Sequence, residues 1–202
     1  SADGKVLGTY YIQNRSNIHF NELSPYLIQA LIATEDARFE KHAGIDYKAL
    51  LRVSAGVLTG RYAGGGSTIT QQLAKNLFPR GQNLCTPAFV LKKFKEWVTA
   101  VKLERNYTKE EILAMYLNTV DFGSNAYGVK SAANTFFSKE PRELNAEESA
   151  LLIAIVNAPT RYSPVRNPEN ALKRRNLVLN QMAKHDYLSL HQADSIAQLP
   201  ID

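Results

Sequence analysis

The sequence predicts a mainly α-helical domain preceded by a short extended arm. Three observations carry that reading. Apolar residues recur at three- and four-residue spacing along most of the chain, capping signals precede nearly every such run, and the stretches between runs are short. Many helices joined by short loops pack as one helical body. The 202 residues suffice for a sizeable core, and 45% hydrophobic with 21% charged residues is ordinary for a globular protein.

Residues 1–22 read as the arm, extended from Lys5 to Phe20 with room for a short hairpin. Residues 23–202 read as one domain. Ser24 and Pro25 open the first helix, because proline at the first helical position loses no hydrogen bond. Leu27, Ile28, Leu31 and Ile32 form its apolar face, and it is expected to run to about His42, with Gly44 ending it. Asp46 caps a second helix with Leu50, Val53, Val57 and Leu58 inward and Gly60 at its end. After the glycine turn at residues 64–66, Thr68 and Gln71 have capping-box spacing, so a third helix starts there and stops before Pro79. Residues 79–88 hold Pro79, Gly81 and Pro87 and read as a loop. A long helix over 89–105 follows, then one from the Thr108/Glu111 capping box to about Asn118. Residues 128–137 and 146–157 are two more. Asn167 and Pro168 open a helix to about 186, and Ser189 with Gln192 mark a last short one. There is no internal repeat or low-complexity tract.

The formal charge of +5 permits an anionic partner without choosing among nucleic acid, phospholipid surface and phosphorylated substrate. A lone cysteine, Cys85, forms no internal disulfide, and without a matched histidine and acid it is no nucleophile. No run approaches the roughly 18 apolar residues of a membrane span, and no leader-like segment starts the chain. Any anchor is therefore expected outside this sequence. The histidines lack metal-ligand spacing, and no Gly-x-Ser-x-Gly elbow is present. No helix-turn-helix or basic stripe stands out, so nucleic acid is not an expected partner.

Three constellations could carry chemistry. Glu35, Arg38, Phe39 and His42 would share one face if the first helix continues through them. That face mixes an acid, an aromatic, a base and an imidazole, where a packing face would be apolar; the plain alternative is a solvated face with ordinary ion pairs. The second runs from Gly64 to Asn76. A glycine turn into a helix leaves backbone N–H groups at the positive end of the helix dipole, which suits phosphate. Ser67, Thr68, Gln71 and Gln72 add donors and Lys75 a charge, although Walker spacing is missing. The alternative is a capped helix after a turn. In the third, Lys92 and Glu96 stand at i and i+4, either as a surface ion pair or as a second acid held beside cations. Glu104 is better suited to orienting its neighbours.

In this order the segments resemble the glycosyltransferase family 51 domain, the peptidoglycan glycosyltransferase of class A penicillin-binding proteins and monofunctional transglycosylases. Glu35-Asp36-x-x-Phe39-x-x-His42-x-Gly44 matches the first motif, and Gly66-Ser67-Thr68-Ile69-Thr70-Gln71-Gln72-Leu73-x-Lys75-Asn76 the second. Lys93-x-x-Glu96 with Leu103-Glu104 matches the third, and Lys109 through Tyr116-Leu117-Asn118 to Phe122-Gly123 the fourth. Gly128-Val129-x-x-Ala132-Ala133 and Glu148 to Pro159, closed by Tyr162-Ser163-Pro164, match the remainder. One departure is Lys92, where the family usually has arginine; lysine keeps the charge but loses the planar fork that grips phosphate at two points. Arg80 or Arg61 is a candidate to compensate.

The resemblance implies a lysozyme-like helical body with a small membrane-proximal lobe. It implies inverting transfer, in which the 4-hydroxyl of lipid II attacks the lipid-linked growing strand and polyprenyl diphosphate leaves. Glu35 is then the general base and Glu96 the second catalytic acid. Asp36, Phe39, His42, Gly66, Ser67, Thr68, Gln71, Gln72, Lys75, Asn76, Lys92, Lys93 and Arg80 form the substrate-binding set. A sugar hydroxyl needs a base as it attacks, and a departing diphosphate needs fixed cations and N–H donors. Inversion takes one displacement, so the paired-acid logic of hydrolases applies only in part. The sequence requires no cofactor, and a divalent cation such as Mg is compatible with the acids. Expected partners are lipid II, the growing strand, the membrane surface and a transpeptidase domain in the same chain. The expected location is the outer, periplasmic face of the bacterial cytoplasmic membrane. The rivals are a glycan-cleaving muramidase or lytic transglycosylase, and a non-catalytic basic binding module.

Overall fold

In the computed structural model, residues 17–60, 65–78 and 86–201 are described; the predicted arm up to residue 16, together with Arg61, Arg80 and Cys85, lies outside them. Pro25 opens helix α1 (Pro25–Glu35). Ser24 does not cap it with its side chain: the buried hydroxyl donates to the carbonyl of Leu144 instead. The helix also ends seven residues before His42. Asp36 leaves helical geometry (φ −158°, ψ 71°) and the chain turns through a 3₁₀ segment, Phe39–Lys41. Side-chain competition explains the early stop. The Asp36 carboxylate accepts the backbone N–H of Ile69 and the Nε2 of His42, and the Phe39 ring is fully buried. The shared helical face of Glu35, Arg38, Phe39 and His42 therefore does not exist.

Asp46 starts α2 (Tyr47–Thr59) by accepting the N–H groups of Lys48 and Ala49. Leu50 and Val53 are half-buried, as the periodicity predicts, while the side chains of Val57 and Leu58 are outside the described residues. Thr68 caps α3 (Ile69–Leu77) by accepting the N–H of Gln71. The expected reciprocal half of that box is missing, because the Gln71 amide donates to the carbonyl of Gly44. Helix α4 (Thr86–Asn106) begins three residues earlier than predicted. Pro87 is no obstacle there, since first-turn N–H groups have no helical acceptor.

Both halves of the predicted capping box form at the start of α5 (Lys109–Thr119). Gly128 (φ +81°) leads into α6 (Val129–Phe137); a Cβ on it would lie 2.8 Å from the carbonyl oxygen of Asn118. Helices α7 (Ala146–Asn157), α8 (Pro168–Lys184) and α9 (Leu190–Ala197) follow at the predicted places, with complete boxes at Asn145/Glu148 and Ser189/Gln192. No strand occurs among the described residues, only an isolated bridge between Asp121 and Tyr127.

The core is built around α7, whose residues Ala150 to Ile155 are all buried. Helices α1 and α8 pack on it, and α5 packs on α3. Ile18 joins this core, its backbone N–H and C=O bracketed by the Asn118 amide. Arg175 is fully buried on α8. It pairs with Glu147 at 2.7 Å and donates to carbonyls at the end of α9, including Leu199 at 2.6 Å. A positive charge at a helix C-terminus satisfies carbonyls that have no helical donor. No described side chain of α2, nor any from Leu91 to Val98 on α4, belongs to the core. These segments form the smaller lobe, and they expose Tyr47, Leu51, Leu91 and Phe94.

Candidate active site

A cleft of about 520 Å³ gathers residues from four helix ends and faces. Glu35, the last residue of α1, lies on it. Ser67 and the first turns of α3 bring Gln71, Gln72 and Lys75, and α4 brings Lys93 and Glu96. Asn157, the last residue of α7, completes the lining. Acid, cations and hydroxyl thus share one concave site, although they come from segments far apart in sequence.

The Glu35 carboxylate is held on one side. Its Oε2 accepts the Gln72 amide at 2.9 Å, and its Oε1 has no partner among the described residues. Gln72 is held in turn by the Tyr116 hydroxyl, which donates to its Oε1 at 3.0 Å. Lys93 donates to Ser67 Oγ at 3.1 Å and to Glu96 at 3.2 Å. The ion pair of Glu96 is therefore with Lys93 rather than Lys92. Lys75 is exposed and makes no hydrogen bond or ion pair among the described residues. The buried Gln71 Oε1 is also without a partner.

Behind the cleft, Asp36 and His42 do a different job from the one their spacing suggests. Gly44 N–H donates to His42 Nδ1, so Nε2 carries the proton that faces Asp36 at 3.0 Å. The same carboxylate sits at the N-terminus of α3 and accepts Ile69 N–H, where the helix dipole favours a negative charge. With Thr68 taking Gln71 N–H, two of the N–H groups expected to bind phosphate are already used. An anion in the cleft must rely more on Ser67, Lys75 and Lys93. Lys109 ties the same region from below. Its ammonium donates to the His42 carbonyl, pairs with Glu104 at 2.8 Å and lies 4.2 Å over the Phe39 ring. Glu104 also accepts Thr70 Oγ1, which fits its expected orienting part.

Of the remaining predicted residues, Thr68 is buried beneath the cleft, and Gly66 packs toward Val53, whose Cγ2 lies 3.2 Å from where a Cβ would be. Asn76 and Lys92 do not line the cleft, and Arg80 lies outside the described residues.

The transglycosylase family model matches residues 3–183. The chain belongs to the transglycosylase family. It is thus a transglycosylase domain, the enzyme type that the motif order implies. It is 42% identical over 201 residues to penicillin-binding protein 1A of Aquifex aeolicus (strain VF5), covering 99% of this chain and 27% of that protein. It is 41% identical over 192 residues to penicillin-binding protein 1F of Bacillus subtilis (strain 168), covering 95% of this chain and 26% of that one. The chain spans about a quarter of the length of these curated relatives. Among solved structures, penicillin-binding protein 1A from Haemophilus influenzae shares the fold, with a TM-score of 0.58 and 24% identity over all of this chain and 20% of that one.

Two residues of this transglycosylase site escaped sequence reasoning as site residues. Tyr116 was legible only as part of a motif, since its ring is core and its hydroxyl alone reaches the site. Asn157 carries a weak signal: it is the first polar residue after the apolar run from Ala150 to Val156, at a helix end.

Proposed function

We propose that this transglycosylase domain polymerises peptidoglycan from lipid II at a membrane surface. The observation that carries the reading is one cleft holding a carboxylate oxygen without a partner, Oε1 of Glu35, together with the ammonium groups of Lys75 and Lys93. Glu35 Oε1 takes the proton of the lipid II 4-hydroxyl as that oxygen bonds to the anomeric carbon of the strand. The anomeric carbon–oxygen bond to phosphate breaks, and its electrons leave with the diphosphate. Lys75, free to move to the charge as it develops, and Lys93, fixed by Ser67 and Glu96, stabilise that departure. Glu96 acts by holding Lys93. A Mg ion, where present, would be carried mainly by the substrate diphosphate with Glu96 nearby.

The exposed Tyr47, Leu51, Phe78, Leu91 and Phe94 support work at a lipid surface, where the polyprenyl tails lie. Among the described residues no helix is long and apolar enough to cross a membrane, so these side chains would dip into the surface rather than span it. The periplasmic face of the cytoplasmic membrane is the compartment this substrate implies. A transpeptidase domain alongside is in keeping with relatives that are about four times as long. The unpartnered Lys75 disfavours the glycan-cleaving rival, which has no diphosphate to bind.

The test is conversion of lipid II to polymer, with and without Mg, by the protein and its Glu35→Gln variant. Wild-type polymer and a variant reduced by about a thousandfold or more are expected. No polymer from the wild type, or an unimpaired Glu35→Gln, would overturn the reading.

A further inference from the structure

Glu35 lies at the mouth of a hydrogen-bond chain that begins in the core. Tyr116 on α5 is fully buried, and its hydroxyl donates to Gln72 Oε1 on α3 at 3.0 Å. The Gln72 amide donates from Nε2 to Glu35 Oε2 on α1 at 2.9 Å. The chain crosses three helices and has a direction. A phenol O–H can donate to the amide oxygen, and a carboxylate can only accept. If the Gln72 amide turned over, its oxygen would face the carboxylate, and its NH₂ would face a phenol whose proton then has no acceptor. Tyr116 therefore sets which end of Gln72 meets Glu35.

We propose that Tyr116 and Gln72 are positioning residues that orient the Glu35 carboxylate, fastening Oε2 so that Oε1 is presented to the attacking hydroxyl. Gln72 is thereby reassigned from a substrate-binding donor to support of the base. The inference rests on the transfer reading above, in which Glu35 is the base. Burial, and after it the nearby Glu35 carboxylate, push the Tyr116 phenol above its ordinary pKa, so it stays a donor at every pH where the enzyme works. Orientation matters because a proton acceptor misplaced by about 1 Å can cost about a hundredfold in rate. A part-buried glutamate at a helix end, with no other partner among the described residues, would otherwise sample several rotamers.

The test is steady-state polymerisation of lipid II by Tyr116→Phe, Gln72→Met and the double variant, with thermal melting of each. Phenylalanine keeps the buried ring and removes only the hydroxyl. The expected result is a fall in kcat of about ten- to a hundredfold in Tyr116→Phe, with KM within about twofold of wild type. Gln72→Met should fall by at least as much. Once Gln72 is gone, removing the hydroxyl should cost nothing further. Wild-type kcat in Tyr116→Phe overturns the relay. So does an equal fractional loss in both backgrounds, which marks a role in packing alone. Glu35→Gln, run alongside, separates the two ideas: if that variant is dead while Tyr116→Phe keeps wild-type kcat, only the relay fails, whereas an active Glu35→Gln removes the transfer reading and the relay with it.

Discussion

Lys75 stands on α3 with no hydrogen bond or ion pair among the described residues, while nearby Lys93 is committed to Ser67 and Glu96. The two lysines should therefore answer differently to mutation. Lys75→Met should leave the melting temperature within about 2 °C, because an exposed side chain without partners contributes little to stability. It should lower kcat/KM for lipid II by about a hundredfold, since a charge aimed at a developing anion is lost. Melting curves and initial rates check both, and a strongly destabilised variant would show that the ammonium has a structural partner. Glu35, Lys75 and Glu96, which motifs named in the sequence, do line one cleft. Their hydrogen-bond partners were not legible there. Asp36 meets Ile69 across 33 positions and Tyr116 meets Gln72 across 44, and periodicity carries no information at that range. Lys93 taking Glu96, where spacing equally allowed Lys92, is the same limitation at short range.

Helices were read well where a capping signal opened them and less well where a tertiary contact closed them. The starts of α2, α3, α5, α8 and α9 follow from Asp46, Thr68, Thr108, Asn167-Pro168 and Ser189. The end of α1 does not, because nothing local stops a helix at Glu35; a buried carboxylate and a buried phenyl ring draw the chain away. The start of α2 offers a pH test of one such cap. Burial alone would raise the pKa of the Asp46 carboxyl. The Ala49 N–H, the hydrogen bond and charge of Arg38, and the Lys48 N–H outweigh it and hold the group below its ordinary value of 3.8. A carboxyl depressed on folding adds stability above its unfolded pKa and loses it as pH falls through the folded one. Asp46→Asn should thus melt below wild type at pH 7, and the gap should close below about pH 4. Melting temperature against pH reads this directly, and a gap that widens in acid would refute the assignment.

At the scale of the molecule, the two lobes differ in what they bury and expose. The smaller lobe presents Tyr47, Leu51, Leu91 and Phe94 to solvent, on a chain of net charge +5. Anionic vesicles should therefore pull the protein down on sedimentation. Leu51→Ser with Phe94→Ser should weaken that binding several-fold while sparing the melting temperature, since neither side chain is buried. Unchanged sedimentation would place the lipid contact elsewhere. The main body answers to α7 instead, which is enclosed by α1 and α8 and ends at Asn157 in the cleft. Backbone amides in such a helix have no small opening through which to meet solvent, so their protons should be traded for deuterium only when the whole domain opens. Labelling in heavy water should find α7 among the last segments to gain mass and α2, with no described side chain in the core, among the first. Should α7 behave so, the wall of the cleft that carries Asn157 is its rigid side, and any gating is expected on the side of the smaller lobe.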